Sequence, residues 1–319
     1  VRPPILVRFG RLALAVLLAL PSLSVASVED LLAQTAPDKN YSCPMHADVT
    51  GRAPGKCSKC GMDLVAGAVW DEREYHLELR TEPAAPRAGE PVRLLFRVGE
   101  PDSGRTVTEF QVVHDKRYHL FVASQDLEHL AHVHPEQQED GSWSIDLTLP
   151  QPGYYRIYSD FLPGGGTPQI IARTLVTAGF ERDLASSIPR LSPDRTLVKT
   201  VDGTTVGLTP EPGVLVAGRT SRLRYDLARD GAPVTDLEPY LGAWGHTLVL
   251  SEDALEYVHA HPIEYLPAGA VEPRGGPNVT FDALFPKPGR YRIWTQFKRR
   301  GEVSTVSFTV DAVAANGAR

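Results

Sequence analysis

Between Tyr41 and Leu64 the chain carries Cys43, Cys57 and Cys60, all of its cysteines, together with Met45 and Met62, both of its methionines. Sulfur side chains elsewhere serve as adaptable core filler, so confining them to one short stretch points to a use other than packing. With His46 included, the spacing is Cys43-x2-His46-x10-Cys57-x2-Cys60. Those are the side-chain types that close a tetrahedral site around a soft or borderline metal ion. Taken alone, Cys57-x2-Cys60 also fits a redox pair or a disulfide in an oxidising compartment. The odd cysteine count, the lack of a βαβ context and the knuckle-like turn "PGKCSKCG" favour the ion. Met45 and Met62 serve either as thioether ligands for Cu(I) or Ag(I) or as cover for a module with little core of its own.

A second set of candidate ligands lies further on. His119, His132 and His134 follow the pattern His-x12-His-x-His-Pro, and His246, His259 and His261 repeat it. Residues i and i+2 of a strand share a face, so each His-x-His pair presents two imidazoles side by side. A hairpin through "SQDLE" or "SEDAL" brings the upstream histidine opposite that pair. Three converging imidazoles suit copper, zinc or nickel. The competing reading is hydrogen bonding and half-exposed packing. The same triple at the same spacing in both places, with drifted sequence between, favours metal. His114 and His129 face Leu241 and Glu256 in the other copy and are read as surface residues or as supports behind the ligands; His76 receives no role.

These side chains need short strands to hold them. From about Tyr75 the text becomes β-branched and aromatic runs between Pro and Gly punctuation, such as "PVRLLFRV", "RYHLFVAS", "WSIDLTL" and "YYRIYSDF". With 27 glycines and 27 prolines along the chain, long helices are not expected. Val107–Pro135 aligns with Val234–Pro262 at a constant offset of 127, and "LPQPGYYRIYSDF" aligns with "FPKPGRYRIWTQF" at 136. Two tandem copies of one domain explain this, the second carrying nine extra residues in a surface loop. Tyr155 and Tyr291, after "PG", sit where Greek-key sandwiches place a tyrosine corner, a structural feature. Asp126 and Asp253 read as turn formers. The expected fold is mainly β, a small metal knuckle followed by two tandem immunoglobulin-like β-sandwich domains.

The expected organisation is a signal peptide over 1–27, a linker over 28–40, the metal module over 41–66, sandwiches over 72–179 and 195–312, and a disordered tail over 313–319. Arg2, Arg8 and Arg11, an apolar run from Leu12 to Leu20 and small residues around Ala26 have the layout of a cleaved secretory signal. The run is too short for the roughly 20 residues of a membrane span, so membrane attachment is expected only if that segment is retained. The chain carries −6, and removing a segment with three arginines and no acid takes it to −9. Such a charge, with no basic cluster after the signal, argues against nucleic acid and for cations as partners.

"YSCPMHADVTGRAPGKCSKCGMDLV" resembles the short heavy-metal-binding domain found on periplasmic adaptors of copper and silver efflux systems and on some heavy-metal P-type ATPases. The motif residues are Cys43, Pro44, Met45, His46, Pro54, Gly55, Lys56, Cys57, Cys60, Gly61, Met62, Asp63 and Leu64. The repeats, with "HVHP", "HAHP" and "PGxYRI", more loosely resemble secreted immunoglobulin-like domains, YtkA-like among them, that occur near such metal genes in bacteria. The resemblance implies an exported, periplasmic or secreted bacterial protein that binds copper or silver first and zinc second, without catalysis, in buffering, delivery or resistance alongside an efflux or transport component. Two alternatives stand beside it. One is a copper-dependent oxidoreductase, since copper-zinc superoxide dismutase also uses a His-x-His pair on such a fold, although the rest of its ligands are not recognisable here. The other is an adaptor or adhesion module in which the histidines are incidental. A blue-copper site is disfavoured, because neither repeat has a cysteine or methionine.

Overall fold

A computed structural model describes residues 41–43, 49–58, 63–66, 74–267 and 270–315. The signal and linker expected over 1–40 lie outside them, as do Met45, His46, Cys60 and Met62.

Three two-residue strands, β1 (Tyr41–Ser42), β2 (Thr50–Gly51) and β3 (Val65–Ala66), form a small antiparallel sheet in the order β2-β1-β3. The Cys43 amide donates to the Val49 carbonyl and the Leu64 amide to Gly55, which fold the chain back on itself.

The first sandwich comprises β4 (His76–Glu82), β5 (Pro91–Gly99), β6 (Tyr118–Ser124), β7 (Leu130–Val133), β8 (Glu136–Gln137), β9 (Trp143–Thr148), β10 (Tyr154–Phe161) and β11 (Gln169–Val176). Its sheets run β4-β5-β9-β8 and β11-β10-β6-β7. A one-turn helix, α1 (Leu184–Ser187), capped by Asp183, stands in the connection. The second sandwich follows with β12 (Val198–Val201), β13 (Thr204–Glu211), β14 (Leu215–Val216), β15 (Thr220–Arg229), β16 (Ala232–Pro233), β17 (Leu237–Glu238), β18 (His246–Ser251), β19 (Tyr257–Ala260), β20 (Asn278–Leu284), β21 (Gly289–Arg299) and β22 (Glu302–Val313). There β13, β15 and β20 form one layer, and β14-β22-β21-β18-β19 the other. These are two tandem immunoglobulin-like β-sandwiches with Greek-key connections. Val313, expected in the tail, ends β22 and pairs with Val216.

The alternation of the strands explains the cores. In β5 the pattern Val92, Leu94, Phe96, Val98 points inward and is buried, while Arg93 and Arg97 point out. Both tyrosines form the corner read from the sequence: Tyr155 Oη donates to the Gln151 carbonyl at 2.8 Å, and Tyr291 Oη to Lys287 at 2.7 Å.

Strands β6 and β18 depart from alternation, because every residue of both is buried. One face serves each sandwich's own core, with Leu120 and Val122 in the first and Val249 in the second. The other face carries Phe121 and Ala123 in β6 and Leu248 and Leu250 in β18, which meet in a third apolar cluster with Tyr158, Leu191 and Trp294. The two repeats therefore dock through their β6 and β18 sheets. Tyr158 Oη donates to the Ala254 carbonyl across the junction, and Arg292 pairs with Glu128.

Candidate metal centre

In the N-terminal module Cys43 and Cys57 are both buried, at 2% and 3% exposure, although the surrounding residues 52–56 are exposed. Lys56, next to Cys57, pairs with Asp63 at 2.7 Å and forms a β-bridge with it. Burying two thiols in a segment this small is what a metal knuckle does in place of an apolar core. The other four candidate ligands of the module, Met45, His46, Cys60 and Met62, lie outside the described residues.

The histidine triples lie on the face of each repeat that turns toward the other. His119 begins the outward-facing series His119, Phe121, Ala123 of β6, and His246 begins His246, Leu248, Leu250 of β18. The β6–β7 register pairs Phe121 with His132, and the β18–β19 register pairs Leu248 with His259. Each His-x-His pair therefore folds over the same face as the upstream histidine. The turns that set this register are alike: Ser124 and Ser251 donate to Asp126 and Asp253, whose carboxylates accept from the Glu128 and Leu255 amides. One ligand atom from each of His119, His132 and His134 lies within 4.8 Å of the others, and the same holds for His246, His259 and His261.

The hydrogen bonds fix which nitrogens face inward. His119 Nε2 donates to the Val113 carbonyl at 2.9 Å, and His246 Nε2 to the equivalent Tyr240 carbonyl at 3.0 Å. His132 Nδ1 donates to Gln296 Oε1 at 2.8 Å; the Gln296 amide nitrogen is committed to Thr305 Oγ1, which sets its orientation. His259 Nδ1 donates to the Asp160 carboxylate at 3.0 Å. With those protons placed, His119 Nδ1 and His132 Nε2 are both lone pairs, 3.1 Å apart, and His246 Nδ1 and His259 Nε2 are both lone pairs, 3.3 Å apart. Two lone pairs facing each other at that distance repel unless a cation lies between them. Two nitrogens bound to one tetrahedral zinc-like ion are separated by roughly 3.3 Å. His134 Nε2 and both ring nitrogens of His261 are buried without a hydrogen-bond partner among the described residues.

Electrostatics keep these rings in the binding form. Burial first, and repulsion between neighbouring imidazolium charges second, hold His119 down to about 4 and His134 to about 3, and push His132, His246 and His261 well below the usual histidine range. Burial works to raise the Asp160 carboxyl, but the hydrogen bond and charge of His259 outweigh it and the carboxylate is held below its ordinary value. At neutral pH His119, His132, His134, His246 and His261 are therefore uncharged and each offers a lone pair.

Of the two readings of His114, the structure favours the support behind a ligand over the surface residue: its ring stacks on His261 at 3.5 Å and 13° and lies 5.6 Å from His246. Comparison between the copies discounted it because Leu241 occupies its place. His114 and Asp115 form a two-residue turn between Val113 and Lys116 with φ of +50° and +61°, a conformation that ordinarily selects asparagine and glycine. Asp160 and Gln296 were also missed; they are equivalent residues of the two repeats at the offset of 136. His129 stands apart, with its ring beside Tyr155, and His76 contacts the Pro101 carbonyl on the surface of β4. A cavity of about 240 Å3 opens onto His114, His119, His259 and His261, with Lys116 and Arg117 in its wall.

Comparison with known proteins bears on both parts. A family model described as a domain of unknown function (DUF8832) matches residues 68–178 and again 199–314, well over half of the chain. The chain belongs to that family. The double match places one DUF8832 unit on each sandwich. A second model, described as heavy metal binding domain, matches residues 40–66. The N-terminal module is thus a heavy-metal-binding domain joined to two DUF8832 units. No curated protein matches the chain. Among solved structures, the adhesin FdeC of Escherichia coli aligns at 13% identity over 80% of this chain and 68% of that one, with a TM-score of 0.24. The fibronectin(III)-like modules of Clostridium thermocellum CbhA align at 10% identity over 76% of this chain and 96% of theirs, with a TM-score of 0.21.

Proposed function

We propose that this is an exported bacterial metal-binding protein that holds copper or silver first and zinc second, and acts in metal buffering, delivery or resistance rather than in catalysis. Heavy-metal binding itself rests on the N-terminal domain. The observation that supports extending it to the repeats is the pair of facing lone-pair nitrogens in each histidine triple, with the outer ring nitrogens already committed to carbonyl, carboxamide or carboxylate acceptors. Second partners of that kind fix the tautomer and orientation of metal-ligating histidines. Thiolates and thioethers in the module suit Cu(I) or Ag(I), and imidazoles suit Cu(II) or zinc, so one chain accommodates both oxidation states of copper. Periplasmic or secreted placement, and exchange with an efflux or transport component, follow from the resemblance of the module.

A copper-dependent oxidoreductase is the second reading, favoured by one observation: each triple supplies three nitrogens, as catalytic sites with an open position do, and a cavity reaches them. Metal analysis and calorimetric titration of the exported form test the first reading. Replacing Cys57 and Cys60 with serine should abolish soft-metal binding at the module and leave both sandwiches folded. Replacing His132 and His134 with alanine should remove about one equivalent of Cu(II) or zinc. A histidine variant that binds as much metal as the parent would leave the function to the module alone and favour an adaptor role for the repeats. Superoxide or phenol turnover by the copper-loaded parent would favour the oxidoreductase.

A further inference from the structure

We propose that the two histidine triples are halves of one two-ion centre, in which each repeat ligates one ion and holds in place a ligand of the other. This rests on the reading that the triples bind metal. The rings of the two triples are neighbours: His119 lies 5.8 Å from His259 and 6.5 Å from His246, and His132 lies 5.9 Å from His246 and 6.0 Å from His259, centre to centre. A metal about 2 Å from a ligating nitrogen sits roughly 3 Å from the ring centre, so the two ions are at most roughly 12 Å apart.

The supports of the ligands cross the junction in both directions. Asp160 lies opposite His119 in the β6–β10 register, yet its carboxylate accepts from His259 of the second repeat. Gln296 lies opposite His246 in the β18–β21 register, yet its carboxamide accepts from His132 of the first. Neither triple has its full set of supports within its own repeat.

The halves are also unequal. The second triple has a carboxylate behind His259 where the first has a neutral amide behind His132, and a negative partner raises the basicity of a ligating imidazole. His114 adds a seventh imidazole from the first repeat. Its Nε2 is buried without a hydrogen-bond partner among the described residues, its ring rests on His261, and its backbone is held in the left-handed region. An ion in the second triple therefore has three imidazoles, a fourth ring packed on His261 and an anionic support, while an ion in the first has three imidazoles and an uncharged support. The second position is the retentive one, and the first is the one from which metal exchanges.

The test uses the full chain with Cys57 and Cys60 changed to serine, loaded with Cu(II). Two equivalents should bind, and their paramagnetic resonance lines should be broadened by dipolar interaction; the broadening should vanish in His132→Ala/His134→Ala, which holds one ion. In that variant Asp160→Asn should weaken the remaining copper roughly 10- to 100-fold. In His259→Ala/His261→Ala, which retains the first triple, Asp160→Asn should leave affinity unchanged. His114→Leu, which installs the residue of the other copy, should alter the spectrum of the second ion and not of the first. Two equivalents with narrow, non-interacting lines, or an Asp160→Asn effect on the first triple instead, overturns the shared centre while leaving metal binding by the repeats intact. A parent that binds no copper outside the module overturns both.

Discussion

At the level of single residues, the centre depends on keeping imidazoles neutral. Burial holds His119 near 4 and His134 near 3 in the fold, against about 6.5 in an unfolded chain. Between those values the unfolded chain binds more protons than the folded one, so stability is complete above about pH 6.5 and declines as the pH falls toward 4. Urea unfolding of metal-free protein should accordingly have a higher midpoint at about pH 7.5 than at about pH 5. Alanine at His132 and His134 should narrow that gap, since fewer buried imidazoles then remain to be charged. Equal midpoints at both values in the parent would mean that the rings are accessible to protons in the folded state. Metal affinity should fall in the same acidic range, because protons compete for the same lone pairs.

At the level of elements, strand period and turn chemistry account for what the sequence made legible. His132 and His134 are two apart in the sequence, so they share a face, and the Ser124–Asp126 turn brings His119 to them; both copies could be read because period and spacing survive sequence drift. Likewise Tyr155 and Tyr291 declared their corners. Which face of β6 meets which face of β18 was not legible, since no local pattern encodes the docking of two domains. The runs "YHLFVAS" and "HTLVLS", buried throughout and with apolar residues on each face, were the available signal. Asp160 and Gln296 stayed hidden for the same reason, and His114 because a comparison of repeats rewards likeness and passes over a residue present in only one. The turn at His114 yields its own prediction. Asp115 sits at φ +61° where the other copy has Gly242 at +73°. Asp115→Gly should raise the melting temperature, by the equivalent of about 0.5–1 kcal/mol, with copper stoichiometry unchanged. A lower melting temperature would show that the Asp115 side chain contributes more than its backbone costs.

At the level of the whole molecule, the junction joins a dry cluster to a polar one. Phe121, Leu248, Leu250 and Trp294 are buried there, and the ring of Phe121 stacks on His132 at 4.2 Å. Phe121→Ala should cost about 3–5 kcal/mol by leaving a cavity, and should weaken metal binding by loosening the face that carries His132. Chemical unfolding with and without copper checks both effects; lost stability with unchanged affinity would separate the cluster from the centre. Metal should in turn fasten the repeats, stabilising the folded chain by about 2.7 kcal/mol for each site at a free ion concentration 100 times its dissociation constant. Thermal melts before and after chelation measure this directly. The junction uses the same positions from both copies: Phe121 with Leu248, Tyr158 with Trp294, Asp160 with Gln296. That is the self-complementary geometry of a twofold homodimer, carried out within one polypeptide. In a homodimer every substitution appears twice and each half must tolerate its mirror image. With both halves encoded separately, a carboxylate can support one ion while an amide supports the other, and a histidine can reach across from one side only.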